Sequence, residues 1–429
     1  VELQIEKELG FKSKSEIEKY GIAKFNKLAK ESVWRFKEEW DKLTERIGFW
    51  IDLENPFITY DVKYMESLWW IIKSIWQRGL LEEDYKVVPY CPRCETPLSS
   101  HEVALGYEDV SEESIYVEFP LKGKKYKNNF LLAWTTTPWT LPGNVALAVN
   151  PKIDYVWIRL KQTGKIYILA KAQLKLISGP FELIKEVKGK NLVGLKYEPI
   201  FDSLIKKKIP NIKNAFRVLP ADFASEKEGT GIVHTAVMYG EEDFELGRKY
   251  NLPKYHTVDE HGRFTKDVKR WQGKFVKAVE SKIIQDLERR NLIYKREVIT
   301  HTYPFCWRCK TPLLYYAHKS WFVRMSRLKR QLIANNKKIN WVPGYIKEGR
   351  FGEWLREIKD WAFSRDRYWG TPLPIWICQK CGKKHAVGSL DELSEMAYDR
   401  NNYYKMRHGG ATHIDKGYIA GWPEKKSMV

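Results

Sequence analysis

No run in the 429-residue sequence approaches the ~18 consecutive apolar residues of a membrane-spanning helix, which excludes an integral membrane protein of that kind. The opening Glu2-Leu3-Gln4-Ile5-Glu6 has neither a basic stretch nor an apolar core, so no secretory signal is expected. The first residue is Val1 and not methionine, and the chain is expected to be an internal fragment. Cysteine and methionine are scarce, six of each. Tryptophan is not: 18 of them rule out a disordered chain, and a hydrophobic content of 43% describes a globular, soluble one. At ~150 residues per domain the length predicts two or three domains. Lys and Arg (74) exceed Asp and Glu (54), and the net +20 favours a polyanionic partner, because each neutralised phosphate releases counterions.

The six cysteines fall into three Cys-x-x-Cys pairs, Cys91/Cys94, Cys306/Cys309 and Cys378/Cys381. That spacing lets two thiolates reach one tetrahedral metal from a tight turn, and structural zinc is expected. A redox role would need a thioredoxin-like strand–motif–helix context, which is lacking. Cys91-Pro92-Arg93-Cys94-Glu95-Thr96-Pro97-Leu98 and Cys306-Trp307-Arg308-Cys309-Lys310-Thr311-Pro312-Leu313 are one knuckle used twice. One zinc is therefore expected to clip together the two ends of an excursion over residues 95–305. The Cys378/Cys381 pair needs further ligands, either His385 or residues outside the chain.

Along the chain, Phe25, Leu28, Ala29, Val33, Phe36, Trp40 and Leu43 keep the spacing of one buried helical face across 14–50. A second helix is predicted over 62–78, with Leu68, Trp69, Ile72, Ile75 and Trp76 inward and Gly79 as its stop. From about 114 the period changes to two. Short strands are predicted at Ile115–Phe119, Phe130–Trp134, Val145–Val149, Tyr155–Leu160 and Ile166–Ala170, a β-rich, barrel-like domain. A helix over roughly 275–290 closes it, and residues 320–370 become helical and aromatic again.

Two segments carry chemistry. Trp134-Thr135-Thr136-Thr137-Pro138-Trp139-Thr140-Leu141-Pro142-Gly143-Asn144 reads as a strand end opening into a rigid loop, because Pro138 and Pro142 cannot continue a ladder. Its hydroxyls can bond a ribose, a phosphate or a water; a Thr-rich sheet edge is the plainer alternative. In Gly229-Thr230-Gly231-Ile232-Val233-His234-Thr235-Ala236, two glycines permit close backbone approach and His234 comes off an apolar strand. Glu241-Glu242-Asp243 then opens a helix with acids in its first turn. Alone, His234 is more often a satisfied structural histidine and Asp243 a helix-start acid.

Together these segments resemble the isoleucyl-tRNA synthetase family of class I aminoacyl-tRNA synthetases, over roughly residues 1–398. The likeness is carried by Thr44 to Asp52, Met65 to Trp70, both knuckles, Thr135 to Asn144, Gly229 to Asp243 and Ser364 to Trp376. The Thr-Thr-Thr-Pro-Trp-Thr-Leu-Pro loop is the sharpest discriminator, since valyl and leucyl relatives look like Thr-Thr-Arg-Pro there. The resemblance implies an α/β fold: a partial Rossmann-like catalytic body interrupted by a β-rich, barrel-like editing domain with zinc knuckles. The implied divisions are a catalytic part with the first knuckle at 1–113, the editing domain at 114–300, and the second knuckle with the return to the catalytic domain at 301–401. It also implies ATP and Mg as cofactors of the parent beside zinc, and tRNA(Ile), isoleucine and valine as partners of a monomeric, cytoplasmic enzyme. The editing domain would hydrolyse valine wrongly attached to tRNA(Ile).

By the same resemblance, Thr135, Thr136, Thr137 and Asn144 match the loop that binds the terminal adenosine and positions the attacking water. Trp139 matches a pocket wall, Gly231 belongs to the substrate-binding set, and His234 matches the residue whose bulk excludes isoleucine. Asp243, nine residues on, matches the carboxylate that pairs with the substrate's α-ammonium. Val237-Met238 departs from a more usual Pro-Ala. No His-Ile-Gly-His or Lys-Met-Ser-Lys-Ser signature is present, so the chain alone is not expected to form isoleucyl-adenylate. Residues 402–429 are expected to start a separate insert. Tyr403-Tyr404-Lys405-Met406-Arg407-His408-Gly409-Gly410 resembles the opening of histidine phosphatase domains, with Gly410 replacing the usual Glu. Two other readings are a non-enzymatic zinc-knuckle RNA-binding module and a valyl- or leucyl-type editing fragment.

Overall fold

The computed structural model describes residues 1–204, 208–378, 381–399 and 402–406. The Arg407-His408-Gly409 signature lies outside them. Two compact units emerge: Tyr85–His318, and Val1–Asp84 together with the chain from Lys319 onward. The chain crosses between them within the strands Leu81–Cys91 and Leu314–Val323.

The discontinuous unit is helix-rich. The single amphipathic face expected over 14–50 is broken into Lys14–Tyr20, Ile22–Val33 and Lys37–Arg46, with Gly21 at φ 104 between the first two. Phe25 and Ala29 join Ile5 and Ile17 in a small core. Beyond them the stripe comes out of the protein: Phe36, Trp40 and Leu43 are exposed, and Trp50 is 96% exposed. Helical spacing reports which residues share a face and not whether another element covers it. The second predicted helix forms over Val62–Gln77 and stops at Gly79, whose φ of 65 suits glycine. Its Trp69 is buried, meets the Trp376 ring edge-on at 5.8 Å and donates Nε1 to the Pro372 carbonyl at 3.0 Å. Arg324 gathers Glu82, Asp84 and Asp360 at 2.8–2.9 Å. The strand pairs of this unit, such as Ile375–Ile377 with Lys384–Ala386 and Phe322–Val323 with Trp361–Ala362, are antiparallel. The parallel sheet expected of a class I body is not among the described residues.

The inserted unit holds the large core. All five predicted strands form, now bounded as Tyr107–Pro120, Asn129–Thr135, Ala146–Val149, Asp154–Leu160 and Ile166–Ala170. They join a nine-stranded mixed sheet with four further strands. Runs such as Ala146–Val149, buried at every position, mark strands covered on both faces. Asn129–Thr135 is the branching strand. It pairs antiparallel with Tyr107–Pro120 along one edge. Along the other it is parallel first to Ile166–Ala170 and then, at Trp134, to Ile232–Thr235. That fork curls the sheet. Helix Glu280–Arg289 buries Ile283, Ile284 and Leu287 against it.

Compactness starts this unit at Tyr85 and ends it at His318, outside the sequence-based limits of 114 and 300. Both cysteine knuckles thus fall within this compact unit, whereas the sequence placed them in the flanking segments 1–113 and 301–401. The long antiparallel ribbon Tyr107–Pro120 and Ile293–Pro304 binds the two knuckles into one body.

Gly189 tests the tightness of the fold. A Cβ there would sit 2.1 Å from the Asn150 carbonyl oxygen and 2.8 Å from the Tyr155 ring. Backbone cannot yield as a side chain would, so Gly189→Ala should lower stability by about 1–3 kcal/mol in urea unfolding. An unchanged midpoint would refute this packing.

Candidate active site and cysteine cluster

The carboxyl ends of the parallel pair Asn129–Thr135 and Ile232–Thr235 open onto one cavity of about 310 Å³. Thr135, Thr136, Thr137, Gly231, His234 and Asp243, all singled out in the sequence, line it together. Gly231 has φ 76, and a Cβ there would meet the Ala170 Cβ at 2.4 Å, so this approach requires glycine.

The hydroxyl loop is ordered by its own bonds. Thr137 N–H donates to Thr135 Oγ1 at 3.1 Å, and Thr140 Oγ1 donates to the Thr137 carbonyl at 2.8 Å. The Thr136 hydroxyl has no protein partner among the described residues, which leaves it available to a ligand or a water.

His234 is held through both ring nitrogens. Nδ1 lies 2.8 Å from Asn144 Nδ2, and Nε2 lies 2.9 Å from Thr140 Oγ1. Asn144 Nδ2 also donates to the Ala146 carbonyl at 2.9 Å, while Tyr197 OH donates to Asn144 Oδ1 at 2.6 Å. A carbonyl can only accept, so the amide orientation is fixed and Nδ2 is the donor to His234. Nδ1 therefore accepts, and the ring proton sits on Nε2, donated to Thr140. Burial holds the imidazole neutral, with its pKa pushed down to about 3. With both nitrogens engaged, the ring offers the cavity bulk and no acid or base. It is a wall.

Asn144 and Trp139 were expected to touch a ligand, and neither lines the cavity. Asn144 is buried and its amide is consumed by the His234 network. Trp139 is buried as well, packed at 5.1 Å against the Tyr239 ring. Tyr239 does line the cavity. Its position five residues after His234, in the turn that follows the Ile232–Thr235 strand, was the available sequence signal.

Asp243 is the third residue of helix Glu241–Lys249. Its Oδ2 accepts the Ala236 N–H at 3.0 Å, which folds the carboxylate back toward the strand bearing His234. Gly240 makes room, since a Cβ there would lie 2.7 Å from Asp243 Oδ2. The departure at Val237-Met238 leaves this turn intact: both side chains are buried, and Val237 fits against Gly247. Burial pushes the Asp243 pKa up to about 7, against the lowering bond from Ala236.

A distinct cluster lies elsewhere in the insert. The sulfurs of Cys91, Cys94, Cys306 and Cys309 lie within 4.8 Å of one another, and no disulfide links them. Tetrahedral zinc with bonds of about 2.3 Å needs sulfurs about 3.8 Å apart. Cys94 N–H donates to Cys91 Sγ, and Glu95 and Lys310, each directly after its knuckle's second cysteine, both adopt positive φ. The donor set fits a structural metal. Cys378 and Cys381 lie outside this cluster, in the other unit. Gly382, directly after Cys381, has φ 71, and its N–H donates to the Cys378 carbonyl.

Residues 1–416 match a profile described as tRNA synthetases class I (I, L, M and V). The chain belongs to that family. It is 50% identical over 396 residues to a Clostridium novyi protein named isoleucine--tRNA ligase, covering 92% of this chain and 37% of that one. It is 49% identical over 402 residues to the Thermus thermophilus protein of the same name, again covering 92% and 37%. The chain thus spans a little over a third of the length of these curated relatives. Among solved structures, the P. knowlesi cytosolic leucyl-tRNA synthetase editing domain aligns with a TM-score of 0.32 at 14% identity, covering 44% of this chain and 97% of that one. No helix among the described residues is long and apolar enough to cross a membrane.

The raised Asp243 pKa has a thermodynamic sign. The folded carboxyl holds its proton more tightly than the unfolded one, so folding stability falls as pH rises from about 4 to about 7. Asp243→Asn should therefore stabilise the protein at pH 8 and make little difference at pH 4.5, compared by urea unfolding. Equal effects at both values would refute the buried, proton-holding carboxyl.

Proposed function

We propose that the cavity is an editing site that hydrolyses valine from mischarged tRNA(Ile), within a protein that charges tRNA(Ile) with isoleucine using ATP and Mg. The observation that carries this reading is the convergence of Thr135–Thr137, His234 and Asp243 on one cavity. The names of the relatives supply the amino acid and the tRNA. The editing function is assigned to the part of the insert between the knuckles, for which the sequence suggested residues 114–300, in a monomeric, cytoplasmic enzyme.

The physical need is a second sieve. A pocket that accepts isoleucine cannot strongly reject a side chain one methylene smaller, and isoleucine against valine is the standard illustration of that limit. His234 limits the depth of the second pocket. Asp243 in its ionised form grips the α-ammonium, a charge-assisted bond in a dry site. Thr136 and Thr137 orient a water. The water oxygen bonds to the ester carbonyl carbon, the acyl–oxygen bond breaks, and the leaving ribose oxygen takes the proton the water gives up. No acyl-enzyme is required, only positioning.

The cluster of Cys91, Cys94, Cys306 and Cys309 is assigned to structural zinc, which fastens the stems of the insert. Cys378 and Cys381 are assigned to a second metal site completed by other ligands.

Deacylation of precharged tRNA(Ile) tests the function. The chain should release valine and spare isoleucine. Asp243→Ala should abolish release, and His234→Ala should begin to release isoleucine. A chain that binds tRNA but hydrolyses neither ester would instead be an RNA-binding module. Metal analysis should find zinc in the purified protein, with about one equivalent lost in Cys306→Ser. Protein that folds without metal would undo the zinc assignment.

A further inference from the structure

Trp139, the aromatic expected to wall the pocket, sits behind another ring. Tyr239 faces the cavity, and Trp139 packs against it edge-on at 5.1 Å without reaching the lining. Tyr239 is fixed as firmly as His234. Its hydroxyl oxygen accepts the Thr257 N–H at 2.8 Å and the Val258 N–H at 2.9 Å, and meets Thr257 Oγ1 at 3.0 Å. With two amides donating to that oxygen, the phenolic proton is directed to Thr257 Oγ1. The polar end is thus spent on the 257–258 turn.

The ring is gripped along its length. A Cβ on Gly143 would lie 3.0 Å from Tyr239 Cε2, so the hydroxyl loop passes against it at close range. His256 and Tyr316 rings lie 6.1 and 6.3 Å away. The backbone at 238–239 is tied as well: Ala317 N–H donates to the Met238 carbonyl, and Tyr239 N–H donates to the Ala236 carbonyl. A side chain with no free polar atom and no room to turn presents only its apolar ring to a ligand.

We infer that Tyr239 is a second specificity-determining wall, so that the side chain admitted is set by two clamped rings, His234 and Tyr239. This rests on the editing reading above. A cavity bounded by one ring could be widened only at that ring, whereas two walls make each independently mutable. Trp139 then acts as a positioning residue behind Tyr239.

The experiment uses the full chain and precharged valyl-, isoleucyl- and alanyl-tRNA(Ile). Tyr239→Leu removes the ring and should raise isoleucyl relative to valyl deacylation about tenfold or more, the scale of one methylene in an apolar pocket. Tyr239→Phe keeps the ring and should keep the valine preference, with lower thermal stability because the Thr257 and Val258 amides lose their acceptor. If Tyr239→Leu does not fold, Tyr239→Trp reads the wall from the other side: valyl deacylation should fall about tenfold while alanyl deacylation persists. A folded Tyr239→Leu or Tyr239→Trp with wild-type selectivity overturns the inference. His234→Ala separates the two levels. If it relaxes selectivity while the Tyr239 variants do not, only this inference fails; if wild type releases no valine, the editing reading fails with it.

Discussion

The side-chain amide of Asn144 reaches the Ala146 carbonyl and His234 Nδ1 with its nitrogen, and receives Tyr197 OH on its oxygen. The cavity depends on that junction. It fixes the histidine tautomer, which commits Nε2 to Thr140, which in turn is tied to the Thr137 carbonyl. The wall of the cavity and the loop that faces it are thereby one hydrogen-bonded object. Buried networks of this kind hold a single geometry because a half-satisfied alternative would strand polar atoms away from water.

Burial acts on the two ionisable groups in the same direction chemically and in opposite directions on the pH scale. It lowers His234 to about 3 and raises Asp243 to about 7. Both groups are pushed toward neutrality. A cation placed beside Asp243 would reverse the balance there, because an opposite charge nearby favours the carboxylate.

Glycines and thiols do the scaffolding. Gly231 and Gly240 open the space into which a strand end and a carboxylate fit, each at a position where a Cβ would collide. The four-cysteine cluster brings residues 91–94 beside 306–309, where their sulfurs could hold one metal ion. The exposed stripe of Phe36, Trp40 and Leu43 contrasts with this: periodic spacing produced a face, and no described element covers it.

The sequence alone determined what is local or repeated. Alternating and continuous apolar runs located all five strands of the insert. Two prolines placed the end of the threonine strand, and Cys-x-x-Cys spacing identified the two knuckles that come together. Thr136, His234 and Asp243 were legible through the family resemblance of their segments, since by residue type alone His234 and Asp243 read as structural. Tertiary structure alone decided which of these residues meet a ligand-sized space. Asn144 and Trp139 moved behind the lining and Tyr239 came forward, because burial depth and hydrogen-bond partners are set by elements distant in sequence: Tyr197, the 257–258 turn and the 316–318 strand. It also decided that the helical face at 36–43 stays open and that both knuckles belong to the insert. Periodicity specifies which side chains share a surface, and only the packing of distant segments specifies what that surface touches.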